Sequence, residues 1–516
     1  GAECSDFTAD DTITVKATPT ATGEAPANSA MFAASFTGPG AGQMAVFVGD
    51  TQVSAPADKG ADGAYTMTVS AADVLVAAGG PGTGITLTAK FVGNDNMADG
   101  AGTATVNITA VAKAERGGTV IGYYGESGLN AALADKNNEG AVFTLLDNME
   151  RETELNIKIS CTLDLNGKTI HSTGEYASAL GISGGATATI RGAGTVLSEH
   201  SHGLSVGGTA TLEGGTFISG AADYSGVYVR VGKLIVTGEA VVIENTGGGT
   251  GLGVNPGTGA IAQLSAGTYG GGTAVTVYGS TTLAGLLNQE GASRVAYYKD
   301  NTTLVTEGLD GQTLPGGSYT VKACTHIFGS STTCPACGGE AVARVTIGGA
   351  VTHYGDLPSA WAAVQGQTAD LYLLKSVDAA GVGKYNRLDL ASGSVTLGMA
   401  DGVILTGSNQ DAVIFLEGGE LTLNSGTIRN SHTYGLAGLR VQSGTLHING
   451  GTVVAYDEGV FVVSGQVEIT GGTFTGNNGI GFHRYEGTVK ISGGQFSGSR
   501  EAVYNSNGTL ADLLAE

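Results

Sequence analysis

Four phrases between Gly418 and Gly498 follow one plan: GGELTLNSGTIRNS, SGTLHINGGTVVA, SGQVEITGGTFTG and EGTVKISGGQFSG. Each is an alternating strand, a Gly-Gly or Ser-Gly turn, then a threonine (once a glutamine) followed by a large apolar residue. Thr427, Thr452, Thr473 and Gln495 are equivalent, which sets the period at 25, 21 and 22 residues. A unit of that length cannot bury its inward row alone. Stacked coils about 4.8 Å apart pair every strand with its neighbours and bury that row continuously. The repeat therefore demands a solenoid.

The same phase recurs upstream in LDLNGKTIHST, ATIRGAGTVLS, ATLEGGTFISG, KLIVTGEAVVIEN and AQLSAGTYGGG. Thr195 to Thr216 is 21 residues, and the 52 residues from Thr216 to Thr268 fit two longer coils. Val196, Phe217, Tyr269, Ile428, Val453, Phe474 and Phe496 share one phase and should form ladders inside, with glycine pairs allowing the positive-φ corners. A larger programme is also doubled. Tyr123-Tyr124-Gly125, a helical pattern at 127–136 and the buried strand Val142–Leu146 are matched by His353-Tyr354-Gly355, a helix at 358–365 and Leu371–Leu374. The helices should cap the first coils and block edge-to-edge pairing. The closing Thr509–Leu514 matches Thr282–Leu287, after which an edge strand follows (Ser293–Tyr298), so the natural polypeptide is expected to continue past Glu516.

Residues 1–113 carry short strands at Asp11–Val15, Met31–Phe36, Met44–Val48, Tyr65–Val69, Ile85–Phe91 and Thr103–Ile108, a spacing that fits an immunoglobulin-like sandwich. Val111–Gly118 reads as a linker. The expected fold is all-β, divided into an immunoglobulin-like sandwich (1–113), a parallel β-helix (117–322), a Cys/His connector (323–341) and a second parallel β-helix (342–516), each helix with a short capping helix.

Composition narrows the function classes. With 88 glycines but 9 prolines and no every-third-residue period, the chain is neither a proline-rich linker nor collagen. A net charge of −22 repels phosphate backbones, which argues against a nucleic-acid partner. No apolar run approaches the roughly 18 residues of a membrane span, so no membrane insertion is expected in this segment. Five cysteines, Cys4, Cys161, Cys324, Cys334 and Cys337, are too few for a disulfide scaffold. Cys161 reads as a small core residue.

The sharpest chemical feature is Cys324-Thr325-His326 followed by Cys334-Pro335-Ala336-Cys337. Three thiolates and one imidazole make a closed tetrahedral set suited to structural zinc, with no open position for catalysis. A metal would fold a segment that has no core of its own. The alternatives are a Cys334–Cys337 or Cys324–Cys337 disulfide, or a site left empty.

Polysaccharide cleavage on a solenoid needs paired carboxylates or an acidic metal cluster at matching phase. The best carboxylates, Asp457 and Glu458, are adjacent on a strand, point to opposite faces and are expected in a solvated turn. No catalytic residue is assigned, and the chain is read as a non-enzyme. His200-Ser201-His202 is a weak metal-pair candidate, and His200 aligns with His432. The residues that follow each glycine-threonine corner differ from coil to coil. His432, Tyr434, Arg440, Tyr456, Asp457, His483, Arg484 and Tyr485 would form a strip of recognition-type side chains along one edge; otherwise they are solvated loop residues without a ligand.

The coil pattern resembles right-handed parallel β-helix domains, over roughly 120–322 and 345–516. The ending FVGNDNMADGAGTATVNITA resembles the last hairpin of bacterial immunoglobulin-like domains, and the whole resembles segments of repeat-built surface proteins of gut bacteria. That resemblance implies a secreted or cell-surface adhesin, a monomer, that binds host glycans such as mucin glycans or glycoproteins such as immunoglobulins. A β-helix polysaccharide lyase or glycoside hydrolase, and a purely structural stalk, are the competing classes.

Overall fold

The structure, a computed structural model, describes residues 5–17, 42–92, 102–255, 259–289, 294–329, 331–383 and 385–514. It divides into two compact units, Gly1–Ala323 and Cys324–Glu516. A parallel β-solenoid dominates both.

In the first unit, the N-terminal strands form two sheets. One runs in the order Ser5–Thr8, Gly102–Thr109, Gly82–Val92, Gln43–Val48, Thr51–Gln52, and its first two strands are parallel. The other pairs Thr12–Ala17 with Tyr65–Ser70. Ile13, Val46, Met67, Val69, Leu87, Val106 and Ile108 belong to one buried core. Ala71–Ala78 is an α-helix, where the sequence reading has only strands and turns. It buries Val74 and Leu75 and ends at Gly79, whose φ of 80° is the left-handed stop. The expected strand Met31–Phe36, Cys4, and residues 93–101 of the expected hairpin lie outside the described residues.

Each solenoid coil has three strands, stacked on three faces. In the second unit the first face carries Thr368–Leu373, Ser394–Met399, Glu420–Leu423, Thr445–Ile448, Gln466–Ile469 and Thr488–Ile491. The second face carries Val377–Asp378, Ile404–Gly407, Thr427–Asn430, Thr452–Ala455, Thr473–Gly476 and Gln495–Gly498. The third carries Leu388–Leu390, Ala412–Leu416, Ala437–Val441, Glu458–Val462, Ile480–Arg484 and Glu501–Asn505.

The register is the one the repeat demands: Thr427 pairs with Thr452, Thr452 with Thr473 and Thr473 with Gln495. Ile428, Val453 and Phe474 are fully buried beneath them, and the Phe474 and Phe496 rings stack at 5.0 Å. In the first unit Thr216 pairs with Val242 and Val242 with Thr268, so two coils of 26 residues each fill the long gap. Valine had hidden the beat there.

The caps lie close to their expected places. Glu126–Ala132 and Leu357–Val364 are helices, and Leu129, Leu357, Trp361 and Val364 are buried. The first helix has glycine at its N-cap, and its free amides are met from far away. The Asp10 carboxylate accepts from the N–H groups of Gly125, Ser127 and Gly128 at 2.9–3.0 Å. Val111–Gly118 is not a free linker: Ala112–Arg116 is a strand paired antiparallel with Val142–Leu145, with Ala112 and Ala114 in the core. Leu283–Leu286 and Ala511–Leu513 form matching helical turns, each followed by a bridge, Leu264 to Leu287 and Ile491 to Leu514. Val295–Lys299 pairs antiparallel with Thr313–Ala323. No helix among the described residues is long and apolar enough to cross a membrane.

Candidate functional site

Three successive strands of the second unit's third face carry a glycine as their second residue, Gly438, Gly459 and Gly481. Gly459 sits where an added Cβ would stand 2.5 Å from Gly481 O, and Gly481 where one would stand 2.7 Å from Ala502 O. No side chain fits at these two positions, so the strand packs tightly on the next coil there. The outward column reads Asp389, Phe415, Arg440, Phe461, His483, Tyr504, paired coil by coil. The equivalent column of the first unit reads Asn156, Gly181, Ser205, Tyr228, Gly253, Thr276. The scaffold is shared, but the second unit's column is larger, more aromatic and charged.

Its charges are arranged around its rings. Arg387 lies 3.9 Å over Phe415, and Arg440 lies 5.2 Å from Phe415 and 5.6 Å from Phe461. Arg387 Nε donates to Asp389 at 2.5 Å and its Nη1 pairs with Asp411. Asp411 also accepts from Arg440 Nη1 at 2.7 Å. Further along, the His483 ring is stacked on Phe461 at 4.9 Å and tilted against Tyr504 at 5.1 Å. His483 Nδ1 meets Glu458 Oε1 at 2.6 Å and Nε2 meets Ser506 Oγ at 2.9 Å. Glu458 is only 6% exposed, and its Oε2 has no partner among the described residues. This corrects the expectation of a solvated turn: the neighbouring coil's histidine covers the carboxylate.

The expected strip divides into three places. Arg440 and His483 stand in the outward column. His432, Tyr434, Tyr456 and Asp457 lie on the corner that leads into the third face. There Tyr434, 74% exposed, meets Tyr456 edge-on at 5.9 Å, and Asn478 Nδ2 donates to the Tyr456 hydroxyl at 2.7 Å. Arg484 falls out of the strip, because it takes the position that Val441 and Val462 fill in the coils before it. Its guanidinium donates to Gly487 O, Asn505 Oδ1 and Asn507 O at 2.9, 3.1 and 3.2 Å. Tyr485 follows it on the next corner, half exposed. Asp389, Phe415, Phe461, Tyr504 and Ser506 were missed, and Glu458 was named only as a carboxylate expected in a solvated turn. The signal for Phe415, Phe461 and Tyr504 was the five-residue phrase AVIFL, AGLRV, EGVFV, IGFHR, EAVYN, in which the fourth residue faces out.

In the connector, Cys324, His326, Cys334 and Cys337 converge, with their ligand atoms all within 4.8 Å of one another. The Cys324 and Cys334 sulfurs are 3.8 Å apart, and Cys337 Sγ is 3.2 Å from His326 Nδ1. A tetrahedral ion with ligands at roughly 2.0–2.3 Å holds them about 3.3–3.8 Å apart, whereas a disulfide needs about 2.05 Å. The residues fit a metal. The N–H groups of His326 and Gly339 each approach a sulfur at 3.4 Å, those of Cys324 and Cys337. Burial works to raise the Cys334 thiol, but the amides of Ala336 and Cys337 outweigh it and hold it below the ordinary thiol range. Burial raises Cys324 and Cys337. The set as a whole can hold a divalent cation. His200-Ser201-His202 does not form a comparable pair: His202 Nδ1 accepts from Ser225 N at 3.0 Å, and its ring lies against Tyr228. Cys161 is buried in the core, as expected, and burial pushes its thiol up to about 12.

Comparison with protein-family models, with curated proteins and with solved structures finds no match.

Proposed function

We propose that the chain is a secreted or surface-attached binding protein, of the kind carried by gut bacteria, which holds a host glycan or glycoprotein, such as an immunoglobulin, on the second solenoid. The observation that carries this reading is the contrast between the two columns. Where the first unit shows mainly short neutral residues, the second shows Phe415, Arg440, Phe461, His483 and Tyr504, beside the exposed Tyr434–Tyr456 corner. Sugar rings present C–H faces that stack on aromatics and hydroxyls that take hydrogen bonds from arginine and asparagine, and aromatic and arginine side chains are enriched where binding energy concentrates. Binding, rather than cleavage of a polysaccharide backbone, is the activity proposed, by a monomer and without nucleic acid.

The remaining parts serve that role. Residues 1–113 act as an immunoglobulin-like spacer, a reading supported by the parallel pairing of the first and last strands and by the core shared between two sheets. Cys324, His326, Cys334 and Cys337 hold structural zinc, supported by the near-tetrahedral spacing of three sulfurs and one nitrogen.

An array of host glycans and glycoproteins probed with the full chain and with the Tyr434→Ala/Tyr456→Ala variant tests the binding role. The variant should lose at least about tenfold in retained signal against its best ligand, with an unchanged melting curve. Equal retention by both proteins would remove the tyrosine corner from the site. A silent array would favour a structural stalk, a reading that draws support from the pairing of Arg440 with Asp411.

A further inference from the structure

We infer that Glu458, His483 and Ser506, one from each of three successive coils, form a nucleophilic relay that cleaves a carboxylic ester, such as an acyl group carried on a sugar hydroxyl. The geometry is that of an activated hydroxyl. A carboxylate at Glu458 can only accept, so the imidazole proton sits on Nδ1, 2.6 Å from Glu458 Oε1. That leaves Nε2 as the acceptor for the Ser506 hydroxyl at 2.9 Å. Nucleophile, base and orienting acid are thus in hydrogen-bond series.

Packing alone does not account for Glu458. Its counterparts on the adjacent coils are Ala437 and Ile480, so the position tolerates a neutral side chain. The carboxylate is nevertheless buried, with Oε2 unpartnered among the described residues, which carries a desolvation cost that packing does not offset. It buttresses an imidazole held between the rings of Phe461 and Tyr504, where its charge favours the imidazolium that proton transfer creates. The two residues after the serine, Asn507 and Gly508, have backbone N–H groups without a hydrogen-bond partner among the described residues. Arg484, bound to Asn507 O, brings a positive charge to the same turn. These are the donors available to a developing oxyanion.

Ser506 Oγ attacks the ester carbonyl carbon while its proton passes to His483 Nε2, and the carbonyl π pair moves onto oxygen. Collapse of this adduct breaks the bond to the alcohol oxygen, which leaves with the Nε2 proton, and Ser506 is acylated. Water then adds to the acyl carbon, giving its proton to Nε2. The second collapse releases the carboxylic acid and returns that proton to Ser506.

Because a small soluble ester reads the relay directly, its test is independent of glycan capture. The full chain is treated with an alkyl fluorophosphonate and the modified peptide is mapped by mass spectrometry, alongside turnover of p-nitrophenyl acetate. We expect label on Ser506, none in Ser506→Ala, at least about 100-fold slower labelling in His483→Gln and Glu458→Gln, and turnover lost in step. Melting curves of the variants establish that they are folded. The relay is overturned if folded wild-type protein leaves Ser506 unmodified, or if labelling proceeds equally fast in His483→Gln.

Discussion

His202 shows what stacked coils do to one titratable side chain. Its ring lies flat on Tyr228 at 4.7 Å and edge-on to Tyr224 at 5.0 Å, and burial pushes its pKa from the ordinary 6.5 to about 4. The folded chain therefore binds fewer protons here than the unfolded chain between those two values. The contribution to stability is complete above pH 6.5 and is lost as pH falls toward 4, a difference on the order of 3 kcal/mol. An NMR titration should place the His202 midpoint near 4, with the denaturation midpoint falling over the same window; a midpoint near 6.5 would put the ring in water. Single residues were also where sequence reasoning was weakest. Strand alternation was the wrong basis for parting Asp457 from Glu458, because Asp457 lies in the corner and Glu458 begins the strand, and it says nothing about the histidine of the next coil. That contact exists only once Glu458 is known to pair with Ile480, which sets His483 beside it.

At the scale of elements, a segment was readable when its pattern occurred twice. The capping helices and the closing turns each have a counterpart in the other half, and both members of each pair formed. Ala71–Ala78 has no counterpart, and its small apolar residues between a strand and Gly79-Gly80 look like a turn until Val74 and Leu75 are seen in the core. The connector was readable for a different reason, since metal-ligand spacing is a local chemical signal. Chain packing contributes little there, with Phe328, Cys334, Ala336 and Cys337 the principal buried side chains. Protein prepared without oxygen should carry one zinc per chain by elemental analysis. Cys334→Ser should abolish it and open residues 324–341 to proteolysis while the strand signal of the coils persists. Zinc well below stoichiometry, with free thiols intact, would overturn the assignment.

For the whole molecule, the glycine-threonine beat placed the second face wherever it was present, because the beat sits at the corner that starts it; at Val242 and Ile404 the threonine is replaced and the beat falls silent. The third face was harder to read. It begins after a corner of varying length, as in the 25-, 21- and 22-residue coils from Thr427 to Gln495. Counting from the threonine therefore loses the phase, and the glycines Gly438, Gly459 and Gly481 recover it in the three coils that carry them. That variability is also what the scaffold tolerates best: insertions at a corner leave the ladders on either side intact, so surface chemistry can change while the core does not.

The same ladders decide how the second unit gives way under load. Its backbone hydrogen bonds run between coils, along the axis of the stack, and each coil is held only by its two neighbours. A pull on the two ends loads these bonds one coil at a time. A coil of about 22 residues, freed, releases roughly 70 Å of chain. Single-molecule extension of residues 324–516 in the full chain should therefore show a train of small, evenly spaced steps instead of one large rupture. A protein of this construction would yield to tension gradually, paying out length while the remaining coils keep their surface intact.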